Sequence, residues 1–168
     1  MKTGRARLMI PGPVDVDGDG LAAMADPVRP HYGDEWLAIY NEAIEYLQQI
    51  FATQNDLFLM AGPGTAALDA ALGSLLRTGD KVLGVQKGCF GVRRASMARA
   101  YGLEVRQVTV PLGHPVEPAA VRRALSAGPG VGAVAVVHLE TSTAVLNPVE
   151  GIAAAARDFE VPVIVDAV

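Results

Sequence analysis

Four short stretches of this sequence place chemically capable side chains where an apolar run gives way to a loop: "AGPGT" ending at Thr65, "KGCFG" around Phe90, "HLETSTA" from His138, and "VDAV" containing Asp166. A Gly-rich turn that opens a helix exposes N–H groups at the positive end of the helix dipole, so Gly64 and Thr65 suit an anion; a plain strand-to-helix turn would read the same way. The turn lacks the third glycine of a dinucleotide fingerprint and the lysine of a Walker loop. Phe90, set between glycines, can stack on a flat ring or close the core. Thr141, Ser142 and Thr143 stand beside Glu140, and such hydroxyls commonly satisfy their own backbone. His138 reads as a hydrogen-bonded core histidine. Asp166 ends an apolar run, where a carboxylate serves a metal, a ribose or a protonated ring nitrogen.

The elements that must position these groups alternate between β-rich runs and helical patterns, the mark of an α/β chain with a mainly parallel sheet. Trp36, Ile39, Tyr40, Ala43, Ile44, Leu47, Ile50 and Phe51 recur at helical spacing, with Asp34 placed to cap the helix. "DLFLMA" reads as a strand, followed by a helix from about Thr65 whose Leu68, Ala71, Leu72 and Leu75 face inward. Strand "KVLGV", a helix over about 92–101 that stops at Gly102, and strand "LEVRQVTV" come next. Pro118 opens a helix holding Val121 and Leu125, and the nearly unbroken apolar "VGAVAVVH" suits a strand covered on both faces. The helix "VEGIAAAARDF" and a last strand through "VPVIVDAV" complete the pattern. Residues 1–32 read as a Pro- and Gly-rich arm, and 33–168 as one domain.

Composition narrows the function classes. The chain has 168 residues, 51% of them hydrophobic, with a formal net charge of -4. Arg93, Arg94 and Arg99, like Arg122 and Arg123, read as solvated helix faces, so no basic surface is offered to nucleic acid. No apolar stretch approaches the roughly 20 residues that span a bilayer. The start "MKTGRARLMIPGP" is unlike a signal peptide, which points to the cytoplasm. Cys89 is the one cysteine, fits a reducing compartment and reads as an inert small residue.

In order and spacing, the four stretches resemble the N-terminal half of the class V aminotransferases, which depend on pyridoxal 5'-phosphate, with the alanine–glyoxylate and serine–glyoxylate group most similar. The likeness runs from "PGPVDV" to "VIVDAV". It implies the three-layer α/β/α large domain of fold type I, truncated here. It places the cofactor phosphate on Gly64 and Thr65, the ring under Phe90, a cofactor contact on Thr141 and the ring nitrogen on Asp166. Gly12 of "PGP" would approach the substrate. The implied reaction moves an amino group from alanine, serine or a similar donor to glyoxylate or another small 2-oxo acid, in a homodimer. A ureidoglycine–glyoxylate aminotransferase or another class V enzyme would share these residues.

Three departures stand out. Pro63 replaces a small hydroxyl residue, and Ala144 stands where many relatives carry glycine. The family's cofactor-holding lysine and its carboxylate-binding arginine lie downstream of the matched Asp, and none of Lys2, Lys81 and Lys87 occupies that place. The chain is therefore expected to be a fragment with no catalytic residue of its own, inactive alone; the alternative is a truncated, non-catalytic α/β module. The family also has two later strands between "DLFLMA" and "VGAVAVVH", so "DLFLMA" is expected to lack its neighbours.

Overall fold

The computed structural model describes residues 8–10, 12–85 and 88–168, with the side chains of Cys89 and Phe90 left aside. Lys2 and Lys87 lie outside the described residues, as does the side chain of Phe90. The chain forms two compact units, Met1–Leu59 and Met60–Val168.

In the first unit are α1 (Gly18–Met24) and α2 (Asp34–Ile50). Helix α1 falls inside the stretch read as an arm; Asp17 caps it by accepting from the Asp19 N–H at 2.9 Å. The sequence concealed it because none of its residues is buried. Helix α2 follows the expected apolar spacing, but its cap differs: Gly33, at φ 87, is the N-cap, and Asp34 is the first helical residue. There Asp34 still meets the positive end of the dipole.

The second unit contains α3 (Gly64–Leu75), β1 (Lys81–Val85), α4 (Cys89–Ala100), β2 (Glu104–Val108), α5 (Pro118–Ser126) and β3 (Val131–Val137). A two-stranded antiparallel hairpin, β4 (Leu139–Glu140) and β5 (Val145–Leu146), leads to α6 (Val149–Arg157) and β6 (Val163–Asp166). Four strands form one sheet in the order β2-β1-β3-β6, every neighbouring pair parallel.

Period-two alternation sorts the strands' side chains onto two faces. Val82, Ala133, Ala135 and Ile164 pack with Leu72 and Leu76 of α3 and its end and with Ala98 of α4. Leu83, Val85, Val134 and Val136 pack with Val121 and Leu125 of α5 and Ile152 and Ala156 of α6. This unit is thus a three-layer α/β/α sandwich. Gly102 ends α4 as expected, at φ 72, where a Cβ would stand 2.8 Å from Thr78 Cγ2.

"DLFLMA" does not form a strand: residues 56–60 carry no ladder, and Phe58 is 83% exposed. A strand needs a hydrogen-bonding neighbour, and none of the described strands pairs with this segment. Leu75, expected inside, is 53% exposed.

The chain leaves the carboxyl end of β1 through α4 toward β2 on one side, and leaves that of β3 through the β4–β5 hairpin and α6 toward β6 on the other. Between β1 and β3 the connections therefore diverge at the carboxyl ends of the strands, which is where doubly wound sheets open a crevice.

Candidate functional site

A cleft of about 630 Å³, open solvent included, lies beyond the carboxyl ends of β3 and β6. Gly64, Thr65 and Leu68 of α3, Arg93, Arg94 and Met97 of α4, Val137 and Leu139 of the β3–β4 run, Thr141, Asp166 and Val168 line it. Four predicted residues, Gly64, Thr65, Thr141 and Asp166, thus come together from three separate loops. The backbone of Phe90 belongs to the first turn of α4, one helical turn before Arg94. Gly12 lies in the first unit, joined to Pro13 by a cis peptide bond. Lys81 starts β1, at the opposite end of the sheet from the cleft.

The start of α3 is built to receive an acceptor. Its N-cap is Pro63, which has no side-chain cap, and Ala66 N donates to Pro63 O at 2.8 Å. The N–H groups of Gly64 and Thr65 have no intrahelical partner, as at any helix start. Pro63 thus removes the side chain that would have competed for them. Gly64 is held against Val168: a Cβ there would stand 2.5 Å from Val168 Cγ2.

Asp166 is fixed by backbone bonds. His138 N donates to Asp166 O at 2.8 Å, which locks the end of β3 beside the end of β6. Val168 N reaches Asp166 Oδ1 at 3.4 Å. His138 corrects the sequence reading, for its side chain is exposed rather than in the core. Its role is carried by the backbone alone, with His138 O accepting from Asn147 N at 2.8 Å.

The hydroxyl loop divides its labour. Glu140, fully buried, accepts from Ser142 N at 3.2 Å and from Ser142 Oγ at 2.5 Å, both on Oε1. Thr143 Oγ1 donates to Glu140 O at 3.5 Å. Ser142 and Thr143 therefore tie the turn together, as hydroxyl-rich loops do, while Thr141 borders the cleft. Ala144 holds φ 55, the left-handed region that favours glycine. Behind the loop, the buried Asn147 accepts from Val116 N at 3.1 Å and donates to Val137 O at 2.8 Å. Its value could not be read from sequence, because its partners are backbone groups on other elements.

Arg94 is the chief surprise. Its neighbours Arg93 and Arg99 are solvated as expected, but Arg94 is 6% exposed. Burial pulls its guanidinium below the usual arginine range, while Asp166 and then Glu140 pull it back up. Arg94 Nη1 and Glu140 Oε2 are both buried without a hydrogen-bond partner. Gly88, the N-cap of α4, packs directly on the Glu140 carboxylate, in space a Cβ would fill. Among the described residues no group of three or more metal-ligating side chains gathers, and no helix is long and apolar enough to cross a membrane.

An uncapped helix start, a hydroxyl, a carboxylate and a buried guanidinium with one unpartnered nitrogen suit a ligand with an anionic group at one end and a polar ring at the other. These residues fit a phosphorylated pyridine. Comparison with known proteins agrees. The profile of the family "Aminotransferase class-V" matches residues 23–168. An uncharacterised aminotransferase of Methanocaldococcus jannaschii is 42% identical over 161 residues, covering 96% of this chain and 42% of that protein. The structure of ureidoglycine–glyoxylate aminotransferase from Bacillus subtilis superposes with a TM-score of 0.88 at 32% identity, over 94% of this chain and 41% of that one. That of alanine–glyoxylate aminotransferase from Nostoc sp. gives 0.87 at 33% identity, over 93% and 41%. The chain spans about two fifths of the length of these relatives.

Proposed function

We propose, from the premise that this chain belongs to the class V aminotransferases, that its second unit provides the pyridoxal phosphate cleft of an enzyme moving an amino group from a small amino acid to glyoxylate or a similar 2-oxo acid. The observation that carries this reading is the convergence of Gly64, Thr65, Thr141 and Asp166 on one cleft. When bound, the cofactor supplies a pyridinium ring that withdraws electrons from the substrate's amine-bearing carbon.

The chain's own residues do the holding. The N–H groups of Gly64 and Thr65 and the Thr65 hydroxyl take the phosphate at the positive end of α3. The Asp166 carboxylate takes the ring N–H and keeps that proton in place. Thr141 hydrogen-bonds the ring's edge, and Phe90 covers its face. Fixing both ends of the ring sets the orientation in which substrate is presented. Gly12 would offer backbone to the substrate, and the working protein is read as a cytoplasmic homodimer that engages neither nucleic acid nor membrane. None of the chain's three lysines matches the family's cofactor-holding position, so this reading assigns the chain binding and orientation but no covalent step.

The test is a titration with 4'-deoxypyridoxine 5'-phosphate, which needs no lysine, followed by amide NMR. Shifts should concentrate at Gly64, Thr65, Thr141 and Asp166, and Asp166→Ala should weaken binding at least tenfold, by about one unit of lost carboxylate–pyridinium attraction. Shifts elsewhere, or none at saturating probe, would refute the assignment.

A further inference from the structure

The hairpin that carries Thr141 is closed within itself, so the place of Thr141 in the cleft depends on how the hairpin leaves the sheet. Leu139 pairs with Leu146, and Glu140 with Val145. Across the tip, Thr143 N donates to Glu140 O at 3.1 Å, and the Ser142 hydroxyl donates to the buried Glu140 side chain. Two paired strands alone do not hold an orientation, which must come from what they are fastened to. The joint is the foot of the hairpin, where β3 ends at Val137 and β4 begins at Leu139.

Asn147 fastens that foot from three of its atoms. Its backbone N–H donates to His138 O at 2.8 Å, its side-chain amide donates to Val137 O at 2.8 Å, and its side-chain carbonyl accepts from Val116 N at 3.1 Å. The residue is buried, away from competing water, where such bonds are strongest. Val116 precedes α5, so the last of these bonds ties the hairpin to a separate part of the unit. Asp166 hangs from the other side of the same joint: His138 N donates to Asp166 O at 2.8 Å, and the parallel ladder pairs Asp166 with Val137. Thr141 and Asp166, which both line the cleft, are thus spaced through the joint that Asn147 closes.

We propose that Asn147 is a positioning residue of the cleft: without touching the ligand, it holds Thr141 at the distance from Asp166 that lets one ring engage both. This rests on the pyridoxal phosphate reading of the cleft and adds to it a residue that does not line the cleft. Removing the Asn147 side chain releases the bonds to Val137 and Val116 but leaves the β3–β6 ladder, and with it Asp166, in place. Thr141 then moves with the hairpin. The start of α3, a helix packed on α4 and β6, keeps its own position.

The experiment is a pair of double-mutant cycles in the full chain. Calorimetry gives the dissociation constant of 4'-deoxypyridoxine 5'-phosphate for variants that circular dichroism shows to be folded. Thr141→Val should weaken binding about three- to tenfold, the worth of one hydrogen bond. Asn147→Ala should weaken it by a comparable factor, and Asn147→Ala/Thr141→Val should bind within about twofold of Thr141→Val alone, because a contact already lost is not lost twice. Paired with Thr65→Val on α3, the Asn147→Ala factor should instead multiply, as for independent sites. Parent-like binding by Asn147→Ala, or a factor that multiplies with Thr141→Val, overturns the proposal. So does coupling to Thr65 as large as that to Thr141, the mark of a general loosening of the cleft. Asn147→Ser, which leaves a small polar group at the foot, runs the same cycles if the alanine variant fails to fold. Parent-like binding by Thr141→Val would refute the Thr141 contact and this proposal with it, whereas a parent chain that does not bind the probe would sink the cofactor reading itself.

Discussion

Replacing Ala144 with glycine should make the protein more stable, against the usual direction of such a change. Ala144 holds φ 55 in the turn between β4 and β5. An L-residue in the left-handed region costs about 1–2 kcal/mol. Glycine removes that strain but gains freedom in the unfolded chain, an offset of about 0.5–1 kcal/mol. The net gain is about 0.5–1 kcal/mol. For a chain of this size that raises Tm by about 1–4 °C. Equilibrium urea unfolding followed by far-UV circular dichroism should show the midpoint rising by about 0.3–0.5 M with an unchanged slope. Ala144→Val should move the midpoint down, because a β-branched side chain tolerates this backbone still less. A lower midpoint for Ala144→Gly, or a valine variant equal to the parent, would refute the argument that this turn is strained.

Asn147→Ala should cost about 2–5 kcal/mol in the same assay, since it strands the Val116 N–H and the Val137 carbonyl in a buried position; a loss under about 1 kcal/mol would show that water replaces the amide. Ile152→Ala, at a fully buried site between α6 and the sheet, should lose about 2–5 kcal/mol, whereas Leu75→Ala, half exposed, should stay within about 1 kcal/mol. Gly88→Ala forces a methyl group into the Glu140 carboxylate. It should lower Tm and weaken binding of 4'-deoxypyridoxine 5'-phosphate together, and a variant that binds normally would mean that the Glu140 loop moves aside without consequence.

Where a signal was local, the sequence was enough. The apolar run of β3 and the glycine ending α4 required no knowledge of neighbours, and both appear where expected. Gly64, Thr65, Thr141 and Asp166 were singled out as loop residues and by family resemblance, and the fold brings all four to one cleft. What sequence hid was set by partners distant in the chain. Arg94 follows the solvated Arg93 directly and shares its helix with the solvated Arg99, and nothing local distinguishes the one arginine that is buried. Asn147 carries no local signal, since its partners, the Val116 N–H and the Val137 carbonyl, lie 31 and 10 residues away. "DLFLMA" has the composition of a strand, but composition cannot provide the neighbour that makes one.

The strand order also governs when the cleft can exist. One wall comes from α4, closely tied to β1 and β2; the other comes from the ends of β3 and β6. The walls meet through the β1–β3 ladder, which joins positions as far apart as Lys81 and Val131, about 50 residues of intervening chain. Closing so long a loop is a late and slow event compared with forming either crossover. A ligand held by both walls thus arrives after the fold, with nothing to template before then. Its effect belongs to the return journey, in which it slows unfolding and protects the chain from proteolysis without hastening its assembly.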